Sequence, residues 1–218
     1  MKSHKSLLAV AFCVTILAGR MEAVDSAISA KIGTLGIGGE FTWSMTDEFN
    51  LRGGLNLYDY GFTLDVDNTS VDAVLALQSI PLLLDYHPFS TGFRISVGAM
   101  INGNTVDLSA NPDEMLVLNG IPFAVDSMEG EITFNKFAPY IGVGFGNAVL
   151  EGSAWQFTCD FGLMFHGTPK ATATAISTNP LLQNLLDVEL NEEVESFNSD
   201  ISGYTIWPVF SVGISLNY

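Results

Sequence analysis

Four charged side chains stand inside segments that otherwise alternate between apolar and small polar residues: Glu40, Arg52, Arg94 and Asp160. Alternation places them on the same side of their predicted strands as glycine, serine and threonine. Charges in a confined space with little water need partners, because an unpaired buried charge is costly. We therefore expect a cluster that includes a Glu40–Arg52 ion pair. The cluster either plugs a narrow lumen, which we prefer, or lines a conduit for ions.

Catalytic chemistry is not indicated. Beyond residue 23 the chain holds two histidines, His87 and His166, and both fall in or beside short predicted turns. A hydrolytic site needs a histidine within hydrogen-bond reach of a nucleophile or a water molecule, and a zinc site needs several histidines or cysteines together. Neither arrangement is visible in the sequence. We expect no enzyme, no catalytic residue and no cofactor.

The chain is strongly acidic, with 24 acidic and 8 basic residues and a net charge of −16. Nucleic acid is excluded as a partner, because too few basic residues are present to neutralise phosphates. Divalent cations that bridge acidic loops to lipopolysaccharide phosphates are one hypothesis, and a solvated acidic surface is the alternative. The loop carboxylates concerned are Asp65, Asp67, Asp72, Asp107, Asp113 and Glu114.

The N-terminal segment is typical of an export signal. Lys2 and Lys5 precede an apolar run at 7–19, which is too short to span a bilayer as a helix but suits the core of a secretory signal. We predict cleavage after Ala23, which leaves residues 24–218 as one domain. The remaining segment has 23 acidic and 5 basic residues, a net charge of −18, and Cys159 as its single cysteine.

Alternation recurs along the rest of the chain and predicts β-strands. The polar faces are small and rich in glycine, so they suit a narrow barrel interior, with the apolar faces and Cys159 turned to lipid. No later segment could cross a membrane as a helix, which leaves a closed barrel as the membrane-spanning structure. Glycines on the polar faces suggest open space in the lumen; they are Gly36, Gly38, Gly54, Gly98, Gly142, Gly144 and Gly162.

The predicted fold is a closed antiparallel transmembrane β-barrel of eight to ten strands, with ten preferred and a helical segment in the long loop at 179–203. Nine runs are visible, and a tenth strand is predicted at 25–32. Eight result if 131–147 is one bent strand and 169–177 is loop. The run 72–86 changes its alternation phase around Pro81, so we expect a β-bulge there.

Connections between the runs fall into two sets. Short turns are predicted on the periplasmic side of an outer membrane, and longer loops on the outer side. The short set comprises 46–48, 87–92, 135–139 and 166–170, and the long set comprises 59–71, 105–127, 147–154 and 178–203.

The last strand ends in the pattern polar-x-Gly-x-x-apolar-x-aromatic, formed by Ser211, Gly213, Leu216 and Tyr218. This pattern resembles the C-terminal assembly signal of bacterial outer-membrane proteins, which implies the barrel-assembly machinery as a partner during insertion. An extended strand of this kind can add to an exposed sheet edge. The stretch 137–148 resembles small outer-membrane barrels of the OmpW and opacity-protein kind. No functional residue is carried over from that resemblance.

Two functions follow from this fold in the outer membrane of a Gram-negative bacterium, among outer-membrane lipid and lipopolysaccharide. We predict a narrow pore for ions or small solutes, which the lumen glycines favour. The alternative is a sealed structural or surface-interaction barrel without transport, which the four lumen charges favour.

Overall fold

The computed structural model describes residues 26–66, 69–88, 91–110, 116–149 and 154–217. The predicted signal segment 1–23 and Tyr218 lie outside these residues. The strands are β1 (Ser26–Gly33), β2 (Gly36–Ser44), β3 (Phe49–Val66), β4 (Thr69–Tyr86), β5 (Phe93–Asn102), β6 (Thr105–Ala110), β7 (Leu116–Leu118), β8 (Ile121–Phe123), β9 (Val125–Thr133), β10 (Phe137–Phe145), β11 (Trp155–Met164), β12 (Lys170–Ser177) and β13 (Trp207–Asn217), and the helix α1 is Gln183–Ile201.

Eight strands form a closed antiparallel ring in the order β4, β3, β2, β1, β13, β11, β10, β5 and back to β4. The last pairing runs from Ser79 opposite Asn102 to Tyr86 opposite Ile95. Ser26 pairs with Trp43 and lies close to the other chain end at Asn217, so both ends of the ring segment are on the same side. The chain is therefore a transmembrane β-barrel of eight strands, at the lower end of the predicted range.

The barrel is apolar outside, as the alternation predicts, and its interior is polar except for one apolar layer. In β10 the exposed Phe137, Ile141 and Val143 alternate with buried Ala138 and Tyr140. The same order holds in β11, where Cys159 shares its face with exposed aromatic side chains, apart from its buried polar neighbours. Large apolar side chains on the outer face are stable in contact with lipid, where no polar group has to lose water.

Two of the ten predicted strands belong to a second structure, not to the ring. β3 and β4 continue past the ring, and the outer half of β4 pairs with β6 instead of β5, from Val71 opposite Ala110 to Ala76 opposite Thr105. β9 and β12 follow, giving a five-strand sheet in the order β3, β4, β6, β9, β12. We call this sheet, with the β7–β8 hairpin and α1, the outer module. The preference for ten strands in the ring is thereby corrected, because β9 and β12 pair only within this sheet.

The outer module has its own apolar core. α1 packs on β12 through Leu186 and Leu190, which are fully buried against Phe123 of the hairpin and Ala175 of β12. The predicted helix at 179–203 is present, and its buried stripe follows the i, i+4 spacing of an amphipathic helix. This second core allows the module to fold outside the membrane.

The phase change in β4 has a different cause from the bulge that the sequence predicts. The β3–β4 register is constant from Phe49 opposite Tyr86 to Val66 opposite Thr69. After Ser79, in the part of β4 that belongs to the ring, the outward side chains are apolar, such as Ile80 and Leu82. Before Ser79, in the part that belongs to the outer module, the inward side chains are apolar, such as Ala73 and Leu77. The strand stays regular while its surroundings change from lipid to water, so the apolar face moves from the outside to the inside.

The two sides of the ring carry different connections from those predicted. The turns at 46–48 and 87–92 lie on the side of the chain ends, which we call the turn end. The connection from β10 to β11 also lies there, although 147–154 was predicted as an outer loop. The segments 135–139 and 166–170 were predicted as short turns of that end, but they join the ring to the outer module and lie at the opposite, module end. Short length alone does not distinguish a hairpin turn from a crossing into another sheet.

Among the described residues no helix combines the length and the apolar character needed to cross a membrane.

Candidate functional site in the barrel lumen

The structure brings the four predicted lumen charges into one cluster and adds Lys31 and Asp85. The six side chains come from six strands of the ring and are all inward-facing and nearly inaccessible to solvent, with side-chain exposures of 10 % or less. Three are cations and three are carboxylates, so the cluster as a whole is electrically neutral. We call these six residues the ion-pair layer.

Arg52 is the centre of the ion-pair layer. One terminal nitrogen donates to Glu40 Oε2 and to Asp160 Oδ2, each at 3.1 Å. The other donates to Asp85 Oδ1 at 3.1 Å and to Asp160 Oδ1 at 3.2 Å. Its Nε lies 2.9 Å from Asp85 Oδ2, in an ion-pair contact without hydrogen-bond alignment. A guanidinium group suits this position because its planar fork can satisfy several carboxylates at once.

Two further cations complete the layer. Lys31 donates to Glu40 Oε1 at 2.5 Å. Arg94 donates to Asp160 Oδ1 at 2.8 Å and also to the backbone carbonyl of Gly146. Each carboxylate therefore contacts at least one cation, which is the condition under which a buried charge is tolerated.

Sequence reasoning missed Lys31 and Asp85. Lys31 has the same parity as Ala27 and Ser29 in β1, and a lysine on the small polar face of a barrel strand is a signal for an inward charge. Asp85 was missed because the alternation of β4 changes phase. The apolar residues before Ser79 and those after it predict opposite directions for the side chain of Asp85. Read from its membrane half alone, the strand places Asp85 inward with Leu83.

The lumen glycines make room for large side chains and do not leave a channel. A Cβ atom on Gly162 would lie 2.3 Å from the hydroxyl oxygen of Tyr140, and one on Gly142 would lie 2.4 Å from it. A Cβ on Gly54 would lie 2.6 Å from Glu40 Cγ. Distances this short are impossible without movement, so each glycine is needed by the side chain that crosses the lumen beside it. The predicted open space is corrected accordingly.

An apolar layer crosses the lumen at the module end. The β1–β2 turn folds inward and buries Leu35, which joins inward side chains from five other strands. The members are Leu35, Leu83, Met100, Ala138, Tyr140, Met164 and Val209, with Trp207 packed against them. Apart from the Tyr140 hydroxyl and the Trp207 indole N–H, the side chains of this layer offer no polar group that could replace the hydration of an ion.

A hydrogen-bonded polar layer lies at the turn end. Asn50 Nδ2 donates to Asn147 Oδ1 at 3.1 Å and lies 3.1 Å from His87 Nε2, while His87 Nδ1 lies 3.1 Å from the carbonyl oxygen of Thr91. Burial lowers the pKa of His87, although the Thr91 carbonyl and nearby Asp85 act in the opposite direction. The cavity between this layer and the ion-pair layer measures about 10 Å³, which is close to the space of one water molecule.

His166 lies at the module end. The sequence-based prediction placed it in a turn at the opposite end, and this prediction is wrong. Its ring packs edge-on against Phe134, with centroids 4.7 Å apart, and against Trp207 at 6.4 Å. Burial lowers its pKa. The two histidines therefore lie at opposite ends of the barrel and share no site.

The predicted assembly-signal residues have structural contacts within the described part of β13. Ser211 is buried and donates to Asp160 Oδ2 at 3.3 Å. A Cβ on Gly213 would meet the Ala30 carbonyl oxygen at 2.6 Å, and Leu216 pairs with Ile28 and Trp155. Ser211 and Gly213 thus fill inward positions, whatever their part in assembly.

The acidic loops do not form a metal centre in the described residues. No group of three or more histidine, cysteine, aspartate or glutamate side chains there is arranged to hold an ion. Asp67, Asp113 and Glu114 lie outside the described residues. Asp107, Glu129 and Glu131 border an open groove of about 450 Å³ on the outward face of the outer module. The divalent-cation hypothesis therefore stays a prediction.

Comparisons with known proteins agree with this architecture. No protein-family model matches the sequence, and no curated protein matches it. The fold is similar to the crystal structure of CarO2 from Acinetobacter baumannii, with a TM-score of 0.60 and 22 % identity over 90 % of this chain and 100 % of that chain. CarO from the same organism gives a TM-score of 0.57 and 23 % identity over 88 % of this chain and 97 % of that chain. At this identity the likeness concerns the fold alone.

Proposed function

We propose that this protein is a sealed outer-membrane barrel that presents the outer module at the cell surface and does not transport solutes. The observation that carries the proposal is the filling of the lumen by the ion-pair layer and the apolar layer, which differ in chemistry. An ion entering from the turn end meets a neutral network in which every charge already has a partner. An ion entering from the module end meets six buried aliphatic or thioether side chains and the ring of Tyr140.

The distribution of charge supports a role for the outer module in binding partners at the cell surface. The sequence ranges 58–78, 104–136 and 166–206, within which its strands and helix lie, hold 16 of the 24 acidic residues and two of the eight basic residues, a net charge of −14. A charge of this size creates a potential that attracts cationic partners and repels anionic ones. The barrel then serves as an anchor in the lipid of the outer membrane, with the turn end toward the periplasm.

A narrow pore is the second candidate. The polar side chains of the turn-end layer and the ion-pair layer would have to rearrange to admit an ion, and the apolar layer would have to open as well. The continuous polar lining of the turn-end half is the observation that favours this candidate.

Planar-bilayer conductance separates the two candidates. The refolded protein is expected to give no reproducible current steps, with folding verified by heat-modifiable migration. The variant Arg52→Gly/Met100→Gly, which removes one large side chain from each layer, is the positive control and is expected to conduct. Ile141→Ala, an outward substitution, is the matched control and is expected to stay silent. Reproducible steps from the unmodified protein would overturn the proposal and establish the pore.

Several narrower predictions belong with this proposal. They are export through a signal cleaved after Ala23, insertion by the barrel-assembly machinery through the pattern that ends at Tyr218, contact with lipopolysaccharide, and the kinship of 137–148 with OmpW-type barrels. Export and cleavage are tested together by N-terminal sequencing of the protein recovered from outer membranes. A mature chain that begins at Val24 is the expected result.

A further inference from the structure

The five-strand sheet of the outer module has two outer edges, and one of them is closed by side chains of α1. Asn198 accepts a hydrogen bond from the Ala171 backbone nitrogen at 2.7 Å and donates to its carbonyl oxygen at 3.0 Å. Gln183 accepts from the Ser177 nitrogen at 2.8 Å and donates to the Ala175 carbonyl at 2.9 Å. The two amide side chains thus occupy hydrogen-bonding positions along β12 that another strand would use.

The opposite edge, formed by the outer half of β3, has no such cover in the described residues. β2 pairs with β3 only as far as Leu57, opposite Ile37. Met45 donates its backbone N–H to the Phe49 carbonyl, and His87 donates to the Glu48 carbonyl. Odd-numbered residues of β3 therefore point their backbone groups toward β2, and even-numbered residues point toward β4. Because the register has no bulge, Asp59, Gly61 and Thr63 point their N–H and C=O groups into the open edge.

Side chains beside this edge differ on its two faces. Tyr60 and Phe62 lie on the inward face, are exposed, and contact each other as a tilted ring pair with centroids 5.7 Å apart. Asp59 lies on the outward face with Asp72, which accepts a hydrogen bond from Thr63 at 2.8 Å. Gly61 has no atom within 4 Å of the place where a Cβ would be, so no local crowding requires glycine there. Glycine in a strand marks a bulge, a tight bend or the close approach of a ligand or another backbone, and the constant β3–β4 register excludes a bulge at Gly61.

We propose that the open edge of β3 at 59–63 binds an extended polypeptide segment as a sixth strand of the module sheet. The N–H and C=O groups of Asp59, Gly61 and Thr63 point into the open edge and offer up to six backbone hydrogen bonds of the type used in strand addition. Apolar side chains of the segment would pack on Tyr60 and Phe62, and basic side chains at the alternate positions would face the acidic outward surface. The partner chemistry is therefore a strand that alternates apolar and basic residues. This inference rests on the proposed role of the outer module in surface interaction.

A second copy of the chain in the same membrane does not fit this edge. Antiparallel pairing of two identical edges places the two-fold axis along the sheet normal. Two copies inserted in the same direction are related by an axis along the membrane normal. The outer half of β3 continues a strand that crosses the membrane, so the normal of its sheet is far from the membrane normal. The two axes therefore do not coincide. The net charge of −14 on each module also opposes their approach.

A synthetic nonapeptide of alternating valine and lysine tests the proposal against the full-length protein in detergent micelles. Fluorescence anisotropy is measured at about 0.15 M salt, where long-range attraction between exposed charges is largely screened. Gly61→Pro removes the N–H that points to the edge and costs no hydrogen bond to β4. Gly61→Ala keeps that N–H and is the matched control. The peptide dissociation constant is expected to rise about tenfold or more in Gly61→Pro and to stay within about twofold in Gly61→Ala.

Two further peptides identify the mode of binding. A peptide of the same composition with its valines and lysines in separate blocks, and an alternating peptide with every second backbone nitrogen methylated, are both expected to bind at least about tenfold more weakly. Equal binding of all three peptides, or equal loss in both Gly61 variants, would overturn strand addition. Absence of binding by the alternating peptide would also overturn it. If the protein gives no conductance and also binds no peptide, the proposal of a sealed barrel is retained and only the proposal of strand addition is rejected.

Discussion

Replacing Arg52 by methionine tests whether the ion-pair layer holds the barrel together. After the change Glu40 keeps Lys31 and Asp160 keeps Arg94 at 2.8 Å. Asp85 keeps a hydrogen bond from Ser96 and only a distant contact with Arg94, whose Nε is 4.0 Å away. The uncompensated charge therefore falls on Asp85. Removing one partner of a buried ion pair costs about 3–5 kcal/mol, and we expect a loss of unfolding free energy in this range.

Urea unfolding of the barrel refolded into lipid vesicles, followed by tryptophan fluorescence, measures this loss. Arg52→Met/Asp85→Asn restores charge neutrality and is expected to recover about 2 kcal/mol relative to the sum of the single changes. Lys170→Met removes an exposed cation of the outer module, and its effect should stay below about 0.5 kcal/mol. An Arg52→Met protein as stable as the unmodified one, or a double variant no better than additive, would refute the reasoning.

Three further outcomes are expected. Burial lowers the pKa of His87 below 6.5 in the folded protein. Between that lowered pKa and about 6.5 the unfolded chain binds more protons than the folded one, so the unfolding free energy should fall as the pH drops below about 6.5. This slope should flatten in His87→Gln, as measured by urea titration at several pH values. Gln183→Ala/Asn198→Ala uncovers the β12 edge and should increase cleavage of the outer module by added protease, with an intact barrel fragment. Gly162→Ala should reduce the yield of refolded barrel, because its Cβ would meet the Tyr140 hydroxyl at 2.3 Å, and adding Tyr140→Leu should restore part of it; no recovery would argue against that contact.

The lumen cluster illustrates how much of a site can be inferred from sequence. Alternation alone places Glu40, Arg52, Arg94 and Asp160 inward, because side-chain direction in a strand depends only on parity. Their grouping at one height depends on the stagger between strands, and that stagger follows from pairings between residues far apart in the chain. Asp85 escaped detection for a related reason, since the apolar pattern around it spans two different environments.

The glycines show the opposite outcome. Their positions on the polar face are visible in the sequence, but their meaning depends on what lies across the lumen. Gly142 and Gly162 admit the ring of Tyr140, and Gly54 admits the side chain of Glu40. A missing side chain is compatible with empty space and with a neighbour that fills it, and only the packing distinguishes the two.

Local pattern was enough to establish that the chain forms β-strands and, for the barrel strands other than β4, which face meets lipid, because a lipid contact demands apolar side chains at every second position. It did not establish which strands share the ring. β9 and β12 alternate like barrel strands, yet the outer half of β4 turns away from β5 and pairs with β6, which carries them into a separate sheet. That choice rests on the joint fit of two packed interiors, the barrel lumen and the core covered by α1, and such a fit exists only once the distant segments have come together.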